Sequence, residues 1–293
     1  MFDYNSMHAS ISTLRQKQIF FVGGSPKSGT TWLQLLLDAH PSVSCSGEGS
    51  FSTHLWPFLK QALDQYDRAI ETNEKVLFNE LEAYQRLTQH DVRYIFATCI
   101  AVVLLKQSRH KLARAIGDKT PANSGNFSEL AILFPTAKFI QMVRDGRDCA
   151  VSGWFHNLRN PDWVHLNRGS LDSYVTAFAE FWASELAKAQ EFAEAHPDRF
   201  RRIRYEELAR DTEGVLAGLF EFLGVEVDAS VLAHCRTEAS FAKRSGGRNP
   251  GEEDRQSFFR KGVAGDWRNH LTEEQNALFR ERAGSWLDRF GYA

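Results

Sequence analysis

The chain has 293 residues, 43% hydrophobic and 25% charged, an ordinary globular composition that excludes a disordered, collagen-like or coiled-coil protein. Its 35 basic and 37 acidic side chains leave a net charge of -2, without the basic excess of a protein that coats nucleic acid. Cys45, Cys99, Cys149 and Cys235 stand far apart, with no CxxC pair or Cys/His cluster, so no structural zinc site is expected.

The first residues lack the apolar core of a secretory leader. The longest apolar stretch, Ile95 to Leu105, falls well short of the ~20 residues that span a bilayer. These features predict a cytoplasmic protein with no membrane span. In chain order, Ile19–Val22 reads as a short buried strand, and a Gly-rich turn leads from it into a helix over Thr31–Ala39, stopped by Pro41. A helix is predicted over Asn79–Lys106 and a weak strand over Ala113–Ile116. A clear strand follows over Lys138–Val143, then a turn and a helix that starts near Asp148. Helices over Asp172–Ala195 and Thr212–Leu223 flank a strand over Phe200–Tyr205, and Ser245–Gly251 reads as a surface loop. Strands alternating with helices predict an α/β fold: a P-loop-like three-layer α/β/α domain with a central, mainly parallel sheet. No linker divides the chain, so residues 1–293 are expected to form one domain.

The strand, turn and helix over residues 19–41 aim backbone N–H groups and a helix N-terminus at the turn, which favours phosphate or sulfate. Lys27 adds a charge there, and Ser28, Thr30 and Thr31 add hydroxyl donors. Gly24 and Gly29 fit the glycine positions of a nucleotide-triphosphate loop. The residue after Gly29 is Thr30 rather than lysine, and no strand ends in the aspartate such an enzyme uses for magnesium. A second strand, turn and helix place Arg144 at a strand end and Ser152 one turn into the helix, on a face that can point back toward it, a guanidinium and a hydroxyl suited to one phosphate.

These two segments together resemble the sulfotransferases that use 3'-phosphoadenosine 5'-phosphosulfate (PAPS). In that family a PKSGTTW loop, here Pro26–Trp32, holds the phosphosulfate end, and an arginine and serine, here Arg144 and Ser152, hold the 3'-phosphate. A third family motif, RKGxxGDW, stands at residues 260–267, and its Arg260, Lys261 and Gly262 resemble residues that close over the 3'-phosphate. Tyr205, Phe241 and Trp32 resemble groups that contact the adenine. The front half looks most like tyrosylprotein and glycan sulfotransferases, and the back half like the cytosolic small-molecule enzymes.

The resemblance implies a reaction and its groups. Lys27, Ser28, Gly29, Thr30, Thr31 and Trp32 bind the donor, and Lys27 also stabilises the leaving phosphate. The histidine base of the cytosolic members is missing from Asp118-Lys119-Thr120-Pro121. Tyrosylprotein members use a glutamate in a Gly-Glu pair, and Gly47-Glu48 matches it. Glu48 is therefore the expected base, Asp118 the reserve, and Lys119 matches a lysine that reaches the transferring sulfonate. PAPS is the expected donor substrate, no metal is expected, and the acceptor is expected to be a small molecule bearing a hydroxyl. Phe51, His54, Trp56, Phe58, Trp154, Phe155, Trp163 and His165 stand in the segments that wall the acceptor cleft in this family, with core packing as the equal alternative. A family dimer segment is matched only at Arg268 and Thr272, with Glu273 and Ala277 departing from it, so the oligomeric state stays open. Two rival readings remain: a P-loop kinase or NTPase, and a non-catalytic anion-binding protein on the same fold.

Overall fold

The computed structural model describes residues 3–77, 84–108, 112–166 and 170–292, without the side chains of residues 164–166. Helix α1 (Tyr4–Ser12) leads to strand β1 (Gln18–Gly24), helix α2 (Thr30–Asp38) and strand β2 (Val43–Gly47). After a wide turn over Phe51–Leu55 come α3 (Trp56–Val76), α4 (Gln89–Gln107), β3 (Ala115–Lys119), α5 (Phe127–Leu133) and β4 (Lys138–Val143). Next are α6 (Gly146–Asn157), α7 (Pro161–Leu166), α8 (Leu171–Ala195), β5 (Phe200–Arg204), α9 (Tyr205–Arg210) and α10 (Thr212–Leu223). The chain ends with α11 (Ala229–Glu238), α12 (Phe241–Arg244) and α13 (Glu273–Arg289).

All five strands are parallel, in the order β2-β3-β1-β4-β5. Val22 of β1 pairs with Lys119 of β3 and Ile140 of β4, so three strands end at one level. Side chains alternate across β1 as a period of two requires. Phe20 and Val22 pack with Leu33, Leu36 and Leu37 of α2 and with α10. Ile19 and Phe21 pack on the other face with Phe96 and Ile100 of α4 and Phe127 of α5. The result is the expected three-layer α/β/α arrangement. From β1 the chain turns toward β2, and from β4 toward β5. That divergence opens a crevice beyond the carboxyl ends of β1 and β4, where ligands bind in such sheets.

The predicted helix over Asn79–Lys106 begins later than expected. Its described part starts at Gln89, where Thr88 and Asp91 form a reciprocal cap; residues 79–83 lie outside the described residues. The sequence signals missed α3, an amphipathic helix that buries none of its residues fully and meets the core only through partly buried Trp56 and Leu59. They also missed β2, a short strand whose side chains are small: Val43, Ser44, Cys45, Ser46 and Gly47.

Candidate functional site

Beyond the ends of β1 and β4 lies a cavity of about 1150 Å³. The turn after β1 shapes its base. Gly29 is left-handed (φ +97°), and a Cβ there would lie 2.7 Å from Cδ2 of Tyr205. Lys27 is also left-handed (φ 69°), a conformation that costs a non-glycine residue about 1 kcal/mol and recurs at functional turns. This turn presents Lys27, Gly29, Thr30, Thr31 and Trp32 to the cavity, while Ser28 is buried beneath it.

Lys27 Nζ lies 3.4 Å from His156 Nδ1 and 4.4 Å from the centre of the Phe258 ring. Burial, reinforced by the charges of Arg159 and Arg144, pulls its ammonium down to about 8. His156 is lowered to about 4 by burial and by Lys27 and Arg159, so it sits neutral beside the lysine at neutral pH.

Arg144, at the end of β4, is held from several sides. It donates to the carbonyls of Lys27 (3.2 Å) and Val263 (2.8 Å), pairs with Asp148 at 3.4 Å and lies 4.4 Å from the Tyr205 ring centre. Burial opposes its charge, but Asp148 and Tyr205 outweigh that, and its pKa is raised. Asp148 also accepts from the backbone N–H groups of Gly265 (2.7 Å) and Trp267 (2.9 Å). One carboxylate thus ties the second motif to the third.

Ser152, Arg260, Lys261 and Gly262 all line the cavity. A Cβ on Gly262 (φ +69°) would lie 2.5 Å from the Phe241 ring, so the backbone turns there with the ring against it. Arg260 and Lys261 each reach Asp266 at 2.6 Å, and Arg260 also pairs with Glu253. Burial would raise the Asp266 carboxyl, but bonds from Lys261, Asn269 and Arg260 hold it below the usual carboxylate range. Glu253, Asp266 and His270 form the one described group close enough to share a metal ion, and two basic side chains occupy its carboxylates. Trp32 and Tyr205 meet edge to face at 5.5 Å, and both line the cavity with Phe241.

On the other side of the Lys27 turn, Glu48 lines the cavity and accepts from Lys119 Nζ at 2.5 Å. The same ammonium donates to Thr31 Oγ1 at 3.2 Å, so Lys119 joins the end of β3 to the start of α2. Lys119 is itself buried and does not line the cavity. Asp118, the reserve base, faces inward. It accepts from Gly49 N (2.7 Å), Thr120 Oγ1 and Asn123 Nδ2 (2.9 Å each), and burial pushes its carboxyl up against those bonds. It anchors the loop that carries Glu48.

The aromatic wall differs from the expected one. Among the described side chains of that set, only His54 lines the cavity. Phe51 is core, Trp56 packs on Phe96, and Phe58 is exposed. Trp154 and Trp163 pack edge to face, Phe155 lies beside His270, and the side chain of His165 lies outside the described residues. The wall comes instead from Tyr174, Phe178 and Phe181 of α8, with Phe258 and Phe259. Helical periodicity cannot single out that stripe of α8, because a core-facing stripe has the same period.

Similarity to known proteins follows the same outline. A model of the sulfotransferase family matches residues 19–229. The chain is 26% identical over 231 residues to protein-tyrosine sulfotransferase 2 of Gallus gallus, covering 78% of this chain and 57% of that one. It is 28% identical over 161 residues to human sulfotransferase 1C2, covering 49% and 52%. The chain thus spans about half the length of these curated relatives. Mouse sulfotransferase SULT7A1 complexed with PAP superposes with a TM-score of 0.57 at 23% identity, over 95% of this chain and 87% of that one. Sulfotransferase STF9 from Mycobacterium avium superposes with 0.55 at 16% identity, over 98% and 80%, and both show the same fold. With most of its length inside the family match, the chain belongs to the sulfotransferase family.

Proposed function

We propose that the chain transfers the sulfuryl group of PAPS to the hydroxyl of a small-molecule acceptor, leaving adenosine 3',5'-bisphosphate (PAP). The observation that carries this is the joint placement of Lys27, Arg144, Arg260 and Lys261 around one cavity with Glu48. Sequence separation gives no reason for that convergence, whereas a nucleotide with phosphates at both ends does. The protein's own groups fit such an anion. Among buried side-chain atoms without a partner are Ser25 Oγ, Ser28 Oγ, Arg144 Nε and Arg260 Nε, all in or beside this site. Unpaired buried donors cost free energy that a bound anion would recover.

In this reading Trp32, Tyr205 and Phe241 hold the adenine, while Arg144, Ser152 and the Arg260–Gly262 turn hold the 3'-phosphate. Lys27, Thr30, Thr31 and the loop N–H groups at the start of α2 hold the phosphosulfate. The acceptor oxygen attacks sulfur in line, its proton passes to Glu48, and the bond from sulfur to the 5'-phosphate oxygen breaks. Charge grows on that oxygen, and Lys27 with the loop N–H groups stabilises it. Lys119 fixes Glu48 and Thr31 relative to each other, so base and donor loop move as one unit.

Two measurements test the reading. Calorimetry with PAP should give one site per chain. Incubation with PAPS and a panel of phenols and alcohols should give sulfate esters in step with PAP release. PAP binding without transfer to any acceptor would favour a non-catalytic protein on this fold, and metal-dependent ATP hydrolysis would favour a kinase or NTPase.

A further inference from the structure

The cavity's α8 wall carries one charged residue that the transfer chemistry leaves unused. Tyr174, Phe178, Phe181 and Glu185 lie on one stripe of α8 and all line the cavity. A stripe from 174 to 185 runs about 16 Å along a helix at ~1.5 Å per residue. Glu185 is 8% exposed, as buried as the core phenylalanine Phe178. Its carboxylate accepts from Ser124 Oγ at 2.9 Å and, from the solvent side, from the exposed Lys188 at 3.4 Å. Its oxygens lie 2.6 and 2.9 Å from where a Cβ of Gly125 would stand, so the chain has made room for the carboxylate by omitting a side chain there.

A carboxylate buried at an aromatic wall is costly unless something positive meets it. Lys188 meets it only weakly, at 3.4 Å from a solvent-exposed ammonium. Pro121, Ala122, Asn126, Tyr174, Phe178 and Phe181, which line the cavity with Glu185, are all uncharged. Glu48 adds a second carboxylate where the acceptor hydroxyl must arrive. The aromatic rings attract a cation through their faces, and the carboxylate attracts it by charge. An acceptor carrying its own carboxylates would face repulsion from both glutamates.

We propose that Glu185 selects acceptors bearing a protonated amine on an aromatic or apolar body, with the hydroxyl directed to Glu48 and the ammonium to Glu185. This rests on the sulfotransferase reading for the hydroxyl end only. Three phenols of similar size give the test: tyramine, 4-ethylphenol and 3-(4-hydroxyphenyl)propionate. Each is titrated calorimetrically into the protein with and without PAP. Tyramine should bind at least tenfold more tightly than 4-ethylphenol, and the propionate more weakly than both. Glu185→Gln keeps an acceptor for the Ser124 hydroxyl, so it should fold and bind PAP as the wild type does. It should bring the tyramine preference below threefold. Glu185→Lys should reverse the order of the amine and the acid. Equal binding of tyramine and 4-ethylphenol, a preference that survives Glu185→Gln, or no binding of any phenol would each overturn the proposal. Failure of PAP to bind would instead count against the donor reading, and the PAP-free titrations would still read the amine preference.

Discussion

The two sides of the cavity are built on different plans. On the donor side Arg144, Arg260 and Lys261 each have an acid close behind them, whereas Lys27 lies beside His156 and the Phe258 ring. Asp148 backs Arg144, and Asp266 backs both Arg260 and Lys261, with Glu253 on Arg260 as well. On the α8 side the charged groups are carboxylates set among rings. The acids that balance Arg144, Arg260 and Lys261 stand directly behind them. The physical reason is preorganisation. A buried arginine without a partner would pay several kcal/mol in desolvation, and an acid behind it pins the fork while leaving its front toward the ligand.

If the two sides divide the work in this way, substitutions on each should separate cleanly. The largest effects belong to the groups between them. Glu48→Gln should lower turnover by ~10²–10⁴, the range for a lost general base, while PAP affinity measured by calorimetry stays within about twofold. Lys27→Ala should lower turnover by ~10²–10³, as for loss of one group that stabilises developing charge, and should also weaken PAP. Full turnover in Glu48→Gln would remove the base from Glu48. Next comes the donor side alone. Arg144→Ala should weaken PAP about 100-fold, since truncating one partner of a buried charge pair leaves the other, here Asp148, without its countercharge. Its effect on the affinity of phenols should be below twofold. Unchanged PAP affinity would sink the 3'-phosphate role.

Legibility from sequence follows the same division. On the donor side Gly29 and Arg144 could be read because they sit at strand-turn-helix junctions, where backbone geometry, glycine and charge must coincide, whereas Tyr205, Phe241 and the irregular Arg260–Gly262 turn were legible only through the family motifs they resemble. Strand β4 and helix α10 were read at their observed bounds because their apolar runs end at clear stops. The α8 side could not be read in this way. Phe178 and Phe181 keep the period of any buried helix face, and nothing local distinguishes a ring facing a cavity from a ring facing the core. The aromatics that drew attention, Phe51 and Trp56, pack into the core beside α4. Glu185 is an ordinary charged residue in a helix until its burial against Ser124 and Gly125 is seen.

A smaller effect tests the charge state of the donor side. Lys27 loses its proton near pH 8 in the free protein because it is buried and lies beside Arg159 and Arg144. PAP requires the ammonium, so the free protein is ready to bind below that pH. Above it, binding must take up a proton. PAP affinity should then be nearly flat from pH 6.5 to 7.5, where the lysine and the phosphates change little, and fall by up to about tenfold per unit above pH 8. Calorimetry in buffers of different ionisation enthalpy should show proton uptake in the upper range only. Lys27→Arg keeps the charge at any accessible pH and should flatten that slope. A slope that persists in the arginine variant would place the titrating group elsewhere.

The smallest effect tests the α8 side. Phe181 is 43% exposed and lines the cavity, so part of its ring is free to be covered by an acceptor. Covering about 40 Å² of apolar surface at ~25 cal/mol per Å² gives about 1 kcal/mol, or roughly a fivefold change in affinity. Phe181→Ala should raise the KM of aromatic acceptors by about that factor, with kcat and PAP affinity within twofold. Loss of kcat instead would mean that the ring aligns the hydroxyl with Glu48 and does more than supply contact area. An unchanged KM would mean that acceptors stop short of this part of the stripe, at Tyr174 and Phe178, leaving Phe181 as an exposed ring that substrates do not touch.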